Sequence, residues 1–213
     1  ERGIEAGGVL LLENLRFHAE ETGNDEGFAK RLAGLGDIYV NDAFGTAHRA
    51  HASTEGIAHH LPAIAGFLID KEVRFFEPLL KSPQQPFVAI IGGAKVSSKI
   101  GVLETLLPKC KTLIIGGGMA YTFLKVKGVS VGKSLVEEEY LESAEKLLAE
   151  AERQGNEVLL PVDHLAAEEF SENAKPETVD SVEIPEGKIA MDIGPKTLDQ
   201  MRSKIENAKS LVW

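Results

Sequence analysis

The residues from Phe87 to Leu107, FVAIIGGAKVSSKIGVLETLL, constrain the fold more than any other stretch. An apolar, β-branched run (Phe87, Val88, Ala89, Ile90, Ile91) reads as a buried strand. It turns on Gly92-Gly93 and passes into a helical pattern in which Lys95 and Lys99, four residues apart, fall on one face. A buried strand that ends in glycine and feeds a helix is the unit from which parallel α/β sheets are assembled. Glycines at that point let backbone N–H groups approach a ligand, and a helix N-terminus behind them adds partial positive charge. The pattern fits a phosphate site made of backbone dipoles and two ammonium groups. It equally fits a tight βα turn with two solvated lysines.

The same rhythm runs along the chain. Val9 to Leu12 is a short buried-strand candidate. Asn24 or Asp25 can cap a helix carrying Phe28, Leu32 and Leu35. Ile38-Tyr39-Val40 is a strand that ends in Asn41-Asp42 and enters the loop AFGTAHRAHA, with His48, Arg49 and His51. Each histidine alone reads as a surface or loop-bracing residue. Ser53 or Thr54 can cap a short helix before Pro62. Ile69, Val73, Phe76 and Leu80 form a helical stripe over residues 66–80, which Pro78 should end, kink or divide. The helix and the turn after it are the candidate connection between two α/β domains.

Beyond Leu107, Thr112 to Ile115 is a strand closing on Gly116-Gly117-Gly118, followed by a helix from Met119. Glu137 to Gln154 reads as a long helix stopped by Gly155. Val158 to Leu160, a short strand within Thr178 to Val182, Ile189 to Asp192, and Leu211 to Trp213 supply further strands. Gly194-Pro195 opens a helix with Leu198, Met201 and Ile205 on its apolar side. Strands alternating with helices predict right-handed crossovers and a mostly parallel sheet. A cleft between the glycine turns at Gly92-Gly93 and at Gly116 to Gly118 could hold a nucleotide.

Composition narrows the function classes. A net charge of −10 argues against nucleic-acid binding through a general basic surface. Nothing approaches a membrane span of about 20 apolar residues. The single cysteine, Cys110, allows no internal disulfide, points to a reducing cytosol, and reads as a filler between helix and strand. The dinucleotide fingerprint placed on Gly116 requires glycine where Tyr121 stands, which disfavours an NAD-type oxidoreductase. Gly128 to Ser134 resembles a P-loop, but its first glycine is one residue too close, so it reads as a surface turn. There is no Cys/His metal spacing and no nucleophile elbow. Paired acids such as Glu20-Glu21 and Glu137 to Glu139 read as solvated. Arg16 and Arg49 remain, each near a strand end, with planar forks suited to carboxylate or phosphate. A small anion in the first half and a nucleotide in the second suggest phosphoryl transfer, which depends on positioning and charge stabilisation.

The stretches LENLRFH (12–18), VNDAFGTAHRAH (40–51), GGAKV (92–96), IGGGMA (115–120) and DIGP (192–195) together resemble the phosphoglycerate kinase family, in its order and over nearly the whole chain. The resemblance implies an α/β fold of two parallel-sheet, Rossmann-like domains, each a three-layer αβα sandwich, both truncated and joined by an interdomain helix. Residues 1–65 would be the later part of a phosphoglycerate-binding domain, 66–82 the interdomain helix, and 83–213 the earlier part of a nucleotide-binding domain. It implies a monomeric, cytoplasmic glycolytic kinase that moves a phosphoryl group between 1,3-bisphosphoglycerate and ADP, giving 3-phosphoglycerate and ATP, with Mg2+ carried on the nucleotide. Neither nucleic acid nor membrane is an implied partner. By resemblance Arg16 and Arg49 bind phosphoglycerate, with His48 in the same basic patch. Lys95, with Arg16, is catalytic, and Lys99 meets the nucleotide phosphates. Gly92, Gly93, Gly116 and Gly117 wall the adenosine site, and Ala190 and Met191 stand where relatives carry Gly-Leu against the base. The family's earlier substrate loop and its Mg2+-binding aspartate would lie outside residues 1–213, so no metal ligand is expected here. The chain is then expected to be a central fragment with little or no activity alone. A non-catalytic nucleotide- or anion-binding module with the same fold is the alternative.

Overall fold

The computed structural model describes residues 4–213. The chain divides into two compact units, one reaching to Glu77 and one running from Pro78.

In the first unit a 3-10 turn, Leu15–Phe17, leads into helices α1 (Ala19–Thr22) and α2 (Glu26–Ala33). Asp25 caps α2 by accepting from the Phe28 N–H at 2.7 Å, as its sequence position predicts. Leu35 lies past the helix end and is exposed. Strand β1 (Tyr39–Asn41) pairs in parallel with β2 (Ala63–Ala65) in a two-stranded sheet. Val9 to Leu12 is not a strand. Its side chains are exposed, Val9 at 93% and Leu11 at 92%, because no strand among the described residues pairs with it. Ser53 and Thr54 cap nothing. The turn after them is 3-10, Gly56–His59, and both hydroxyls are engaged elsewhere. Helix α3 (Phe67–Lys81) carries the predicted stripe. It passes through Pro78, whose carbonyl still accepts from the Ser82 N–H at 2.9 Å. Asp42 Oδ1 starts this helix by accepting from the N–H groups of Leu68 (2.6 Å) and Ile69 (3.2 Å).

The second unit is built on four parallel strands in the order β5-β4-β3-β9: β3 (Phe87–Gly92), β4 (Thr112–Gly116), β5 (Glu157–Leu159) and β9 (Ser210–Val212). Alternate residues serve opposite faces. Phe87, Ala89, Leu113 and Ile115 enter the main core with residues of α4 (Ile100–Leu106), α5 (Ala120–Val126) and α6 (Leu141–Gln154). Val88 and Ile114 face the other way and pack with Met201 of α7 (Pro195–Glu206). The unit is therefore the expected α/β layer arrangement. Helix α6 begins at Leu141 rather than Glu137, because a separate 3-10 turn (Glu138–Tyr140) precedes it. Its left-handed stop is Gly155, with φ of 68°. Leu198 and Ile205 of α7 stay largely exposed.

A second sheet departs from the parallel expectation. β6 (His164–Ala167) sits between β7 (Glu177–Val179) and β8 (Ile189–Ile193), antiparallel to both. The strand expected within 178–182 is thus centred earlier. Gly128 to Ser134 is a surface turn only in part: Gly128, Ser130, Gly132 and Lys133 are exposed. Val131 and Ser134 are buried, and the stretch is stitched to the 184–190 segment through the Ile184 N–H to Ser130 O and Lys133 N–H to Lys188 O bonds, both 2.8 Å. Cys110 is buried, and burial pushes its thiol up to about 11, so it is inert filler.

Candidate functional site

The glycine turns meet backbone to backbone. Gly92 and Gly116 are register partners at the ends of β3 and β4. The Met119 N–H donates to the Gly93 carbonyl at 2.9 Å. Gly117 has φ of +67°, and a Cβ there would lie 2.7 Å from Gly93 O and 2.8 Å from Gly93 N. Only glycine satisfies both the backbone angle and that approach. At Gly93 and Gly116, by contrast, a Cβ would meet nothing within 4 Å. Packing does not demand glycine at those two positions, so the space beside them is open.

Lys95 and Lys99 do not share a helical face. The chain from Ala94 to Lys99 is a loop, and α4 begins only at Ile100, with Lys99 as its N-cap residue. The helix dipole therefore does not stand directly behind Gly92-Gly93. The serines explain the change: Ser98 Oγ donates to Lys95 O at 3.0 Å, and Ser97 donates to a distant carboxylate. That carboxylate is Glu137. Its Oε2 accepts from the Ser97 N–H at 3.1 Å and its Oε1 from the Ser97 hydroxyl at 2.7 Å. Both lysines remain exposed loop cations.

In the first unit Arg16 lies in the 3-10 turn, where Asn14 Oδ1 accepts from its N–H at 3.1 Å. Arg49 Nε donates to His48 Nε2 at 3.4 Å, so these two form one exposed polar group. Thr54 Oγ braces this loop by donating to Arg49 O at 2.7 Å. Beneath it Glu21, 3% exposed, accepts from the Ser53 N–H (3.0 Å) and hydroxyl (2.5 Å) and faces His51 Nδ1 at 3.7 Å. Glu20, Glu138 and Glu139 are exposed as expected, whereas Glu21 is buried and Glu137 is half-buried and hydrogen-bonded to Ser97. The partners of Glu21 and Glu137 lie 32 and 40 residues away, which no local pattern reveals. Among the described residues, none of Arg16, Arg49, Lys95 and Lys99 takes part in an ion pair. Cations outside close ion pairs in an acidic chain suit an anionic ligand, and Lys95 also acts on Glu137 through its charge.

Ala190 and Met191 lie on β8, in the antiparallel sheet. The register there skips Met191, which makes it the extra residue of a β-bulge. The Ala190 N–H donates to Ser134 Oγ at 3.0 Å rather than to a glycine loop. Asp163, at zero exposure, tethers the start of α7: its carboxylate accepts from the N–H groups of Lys196 and Thr197, both at 2.8 Å, and from Thr197 Oγ at 2.6 Å. Burial alone would raise this carboxyl, but those hydrogen bonds prevail and hold it below its ordinary 3.8. A groove of about 880 Å³ lined by Leu124, Val129, Leu160, Val182 and Gln200 contains none of the expected site residues. Among the described residues no group of three or more His, Cys, Asp or Glu could hold a metal ion. No described helix is long and apolar enough to cross a membrane.

These features define an α/β protein of Rossmann-like type, with paired glycine turns at the ends of adjacent parallel strands and unpaired lysines in the following loop. A family model described as phosphoglycerate kinase matches residues 2–213, and the chain belongs to that family. It is 57% identical over 210 residues to a phosphoglycerate kinase of Borrelia duttonii, covering 99% of this chain and 54% of that protein. It is 56% identical over 211 residues to one of Gloeothece citriformis, covering 99% and 53%. Among solved structures, the phosphoglycerate kinase of Coxiella burnetii superposes with a TM-score of 0.80 at 44% identity, over 97% of this chain and 54% of that one. That of Pyrococcus horikoshii gives 0.81 at 30% identity, over 96% and 54%. The chain spans about half the length of these relatives.

Proposed function

We propose that the chain carries two binding surfaces of a phosphoglycerate kinase, a cytoplasmic, monomeric glycolytic enzyme exchanging a phosphoryl group between 1,3-bisphosphoglycerate and ADP. Residues 1–65 are assigned to phosphoglycerate, 66–82 to the interdomain helix and 83–213 to the nucleotide. The observation that carries the nucleotide assignment is the backbone contact of Gly117 on Gly93, which leaves open space at Gly93 and Gly116 beside exposed Lys95 and Lys99. In this reading backbone N–H groups and Lys99 hold the nucleotide phosphates. Lys95 stabilises the charge on the phosphoryl group in transfer. Gly92, Gly93, Gly116 and Gly117 wall the adenosine, with Ala190 and Met191 against the base. Arg16, Arg49 and His48 take the phosphoglycerate through charge-assisted hydrogen bonds. A nucleotide bound at the glycine turns would carry Mg2+, which would supply further charge neutralisation.

Turnover is a separate matter. The chain spans about half the length of its relatives, and it is proposed to bind ligands yet catalyse little by itself. ADP titration into the wild-type, Lys95→Ala and Lys99→Ala proteins tests the site. Weaker binding in both is expected, and unchanged affinity in both would contradict it. A coupled assay with 3-phosphoglycerate and ATP tests the second point, where robust turnover would contradict it.

A further inference from the structure

The loop bearing Lys95 and Lys99 has no regular secondary structure of its own, yet it is tied from outside. Glu137 uses both carboxylate oxygens on Ser97, one for the backbone N–H and one for the hydroxyl. A charged carboxylate that takes two donors from one residue fixes its direction as well as its distance. Glu137 is itself anchored. Its N–H donates at 3.1 Å to Thr122 Oγ, and Thr122 is buried on α5, the helix that follows Gly116 to Gly118. One residue therefore joins the loop after the first glycine turn to the helix after the second. Partial burial alone would raise the Glu137 carboxyl, but hydrogen bonds from Ser97 and the Val96 backbone and the charge of Lys95 hold it below its ordinary 4.5, so it is ionised at neutral pH. The first unit repeats the device, with Glu21 taking both donors of Ser53 in the loop that carries His48 and Arg49.

We propose that Glu137 is a positioning residue for nucleotide binding: through Ser97 it holds the Ala94–Lys99 loop in the shape that meets the phosphates of a nucleoside diphosphate. It contacts no phosphate itself. Ordering of the loop in advance removes an ordering cost from the binding step. This inference rests on the nucleotide reading of the glycine loops.

Calorimetric titration of ADP into the 213-residue chain tests it, with Lys95→Ala as the control for that reading. Glu137→Ala should weaken ADP binding about tenfold, the scale of a lost hydrogen bond to a charged group, and Ser97→Ala, which keeps its backbone N–H on Glu137, should weaken it by less. The thermal unfolding midpoint should fall by no more than a few degrees, because Glu137 is half-exposed and water can replace part of what is lost. The double variant should bind no worse than Glu137→Ala alone, because Ser97→Ala removes only the hydroxyl half of what Glu137→Ala removes. Glu137→Gln keeps an acceptor at the same reach and should bind within about threefold of wild type. In hydrogen exchange without ligand, the Ser97 amide should be protected in wild type and lose protection in Glu137→Ala. If Lys95→Ala weakens binding while Glu137→Ala leaves it unchanged, positioning is wrong and the nucleotide reading stands. Additive losses, Glu137→Gln as weak as Glu137→Ala, affinity falling in step with the unfolding midpoint, or an unprotected wild-type Ser97 amide would each overturn the proposal. A wild-type chain that does not bind ADP overturns the proposal together with the reading beneath it.

Discussion

The two units handle similar apolar sequence in opposite ways. In the second unit both faces of the parallel sheet are covered: Phe87, Leu113 and Ile115 on one side, Val88 and Ile114 on the other. In the first unit the buried cluster is Phe28, Ala29 and Ala52, while Val40 and Ile64 of its sheet are 54% and 53% exposed and Phe67 is 93% exposed. A β-branched run becomes a buried strand only where neighbouring strands and a helix layer meet it. Where they do not, polar ties take over the ordering. In the first unit these are Glu21 on Ser53, Asp42 on the start of α3, Asp25 on α2, and the Tyr39 hydroxyl, which donates to Ser53 O at 2.8 Å.

The largest expected effect sharpens this contrast at its apolar end. Phe87→Ala, at a fully buried site, should lower the stability of the second unit by about 3–5 kcal/mol in denaturant unfolding. Ile64→Ala in the first unit should cost under about 0.5 kcal/mol by the same measurement, since that side chain is already half in water. A large loss at Ile64 would break the comparison.

Polar ties come next. Glu21→Ala should cost the first unit about 1–2 kcal/mol, because it strands the half-buried donors of Ser53. Asp163→Asn should cost the second unit about 2 kcal/mol at pH 7. Its carboxyl titrates below 3.8 when folded, so its stabilisation is complete above about pH 4 and is lost as pH falls through the folded value. The gap between Asp163→Asn and wild type should therefore close in acid, and a gap constant down to about pH 2 would contradict the assignment.

The glycine turns give the smallest stability change with the sharpest selectivity. Gly117→Ala should cost about 1–3 kcal/mol through its backbone angle and its approach to Gly93. Gly93→Ala has room for its methyl and should change stability by less than about 0.5 kcal/mol, yet weaken ADP binding by intruding on the open space. Equal stability losses at the two positions would erase the distinction between packed and open glycine.

What the sequence made legible follows from where the signals act. The runs at Phe87 to Ile91 and Thr112 to Ile115 are strands because their apolar residues are contiguous and bounded by glycine. Helices α3, α6 and α7 announce themselves by periodicity and, for α6 and α7, by Gly155 and Pro195 at their ends. Strand β6 was hidden because His164-Leu165-Ala166-Ala167 has no strand signature and owes its form to pairing with β7 and β8. The loop at Lys95 to Lys99 looked helical because spacing ignores Ser97, whose donors are claimed by Glu137 far along the chain. The arginines, lysines and glycines of the candidate site were visible as residue types. The carboxylates that hold their loops were not, since their partners Ser53 and Ser97 lie 32 and 40 residues away and are brought to them only by the fold.

Amide hydrogen exchange of the wild-type chain with and without ADP tests the central claim most directly, because it reads both units in one experiment. Protection should rise in peptides spanning Gly92 to Ile100 and Gly116 to Ala120, and stay unchanged across Ala43 to Thr54 in the first unit. Protection that rises around Arg49 instead, or at neither glycine turn, would contradict the assignment of the nucleotide to the second unit.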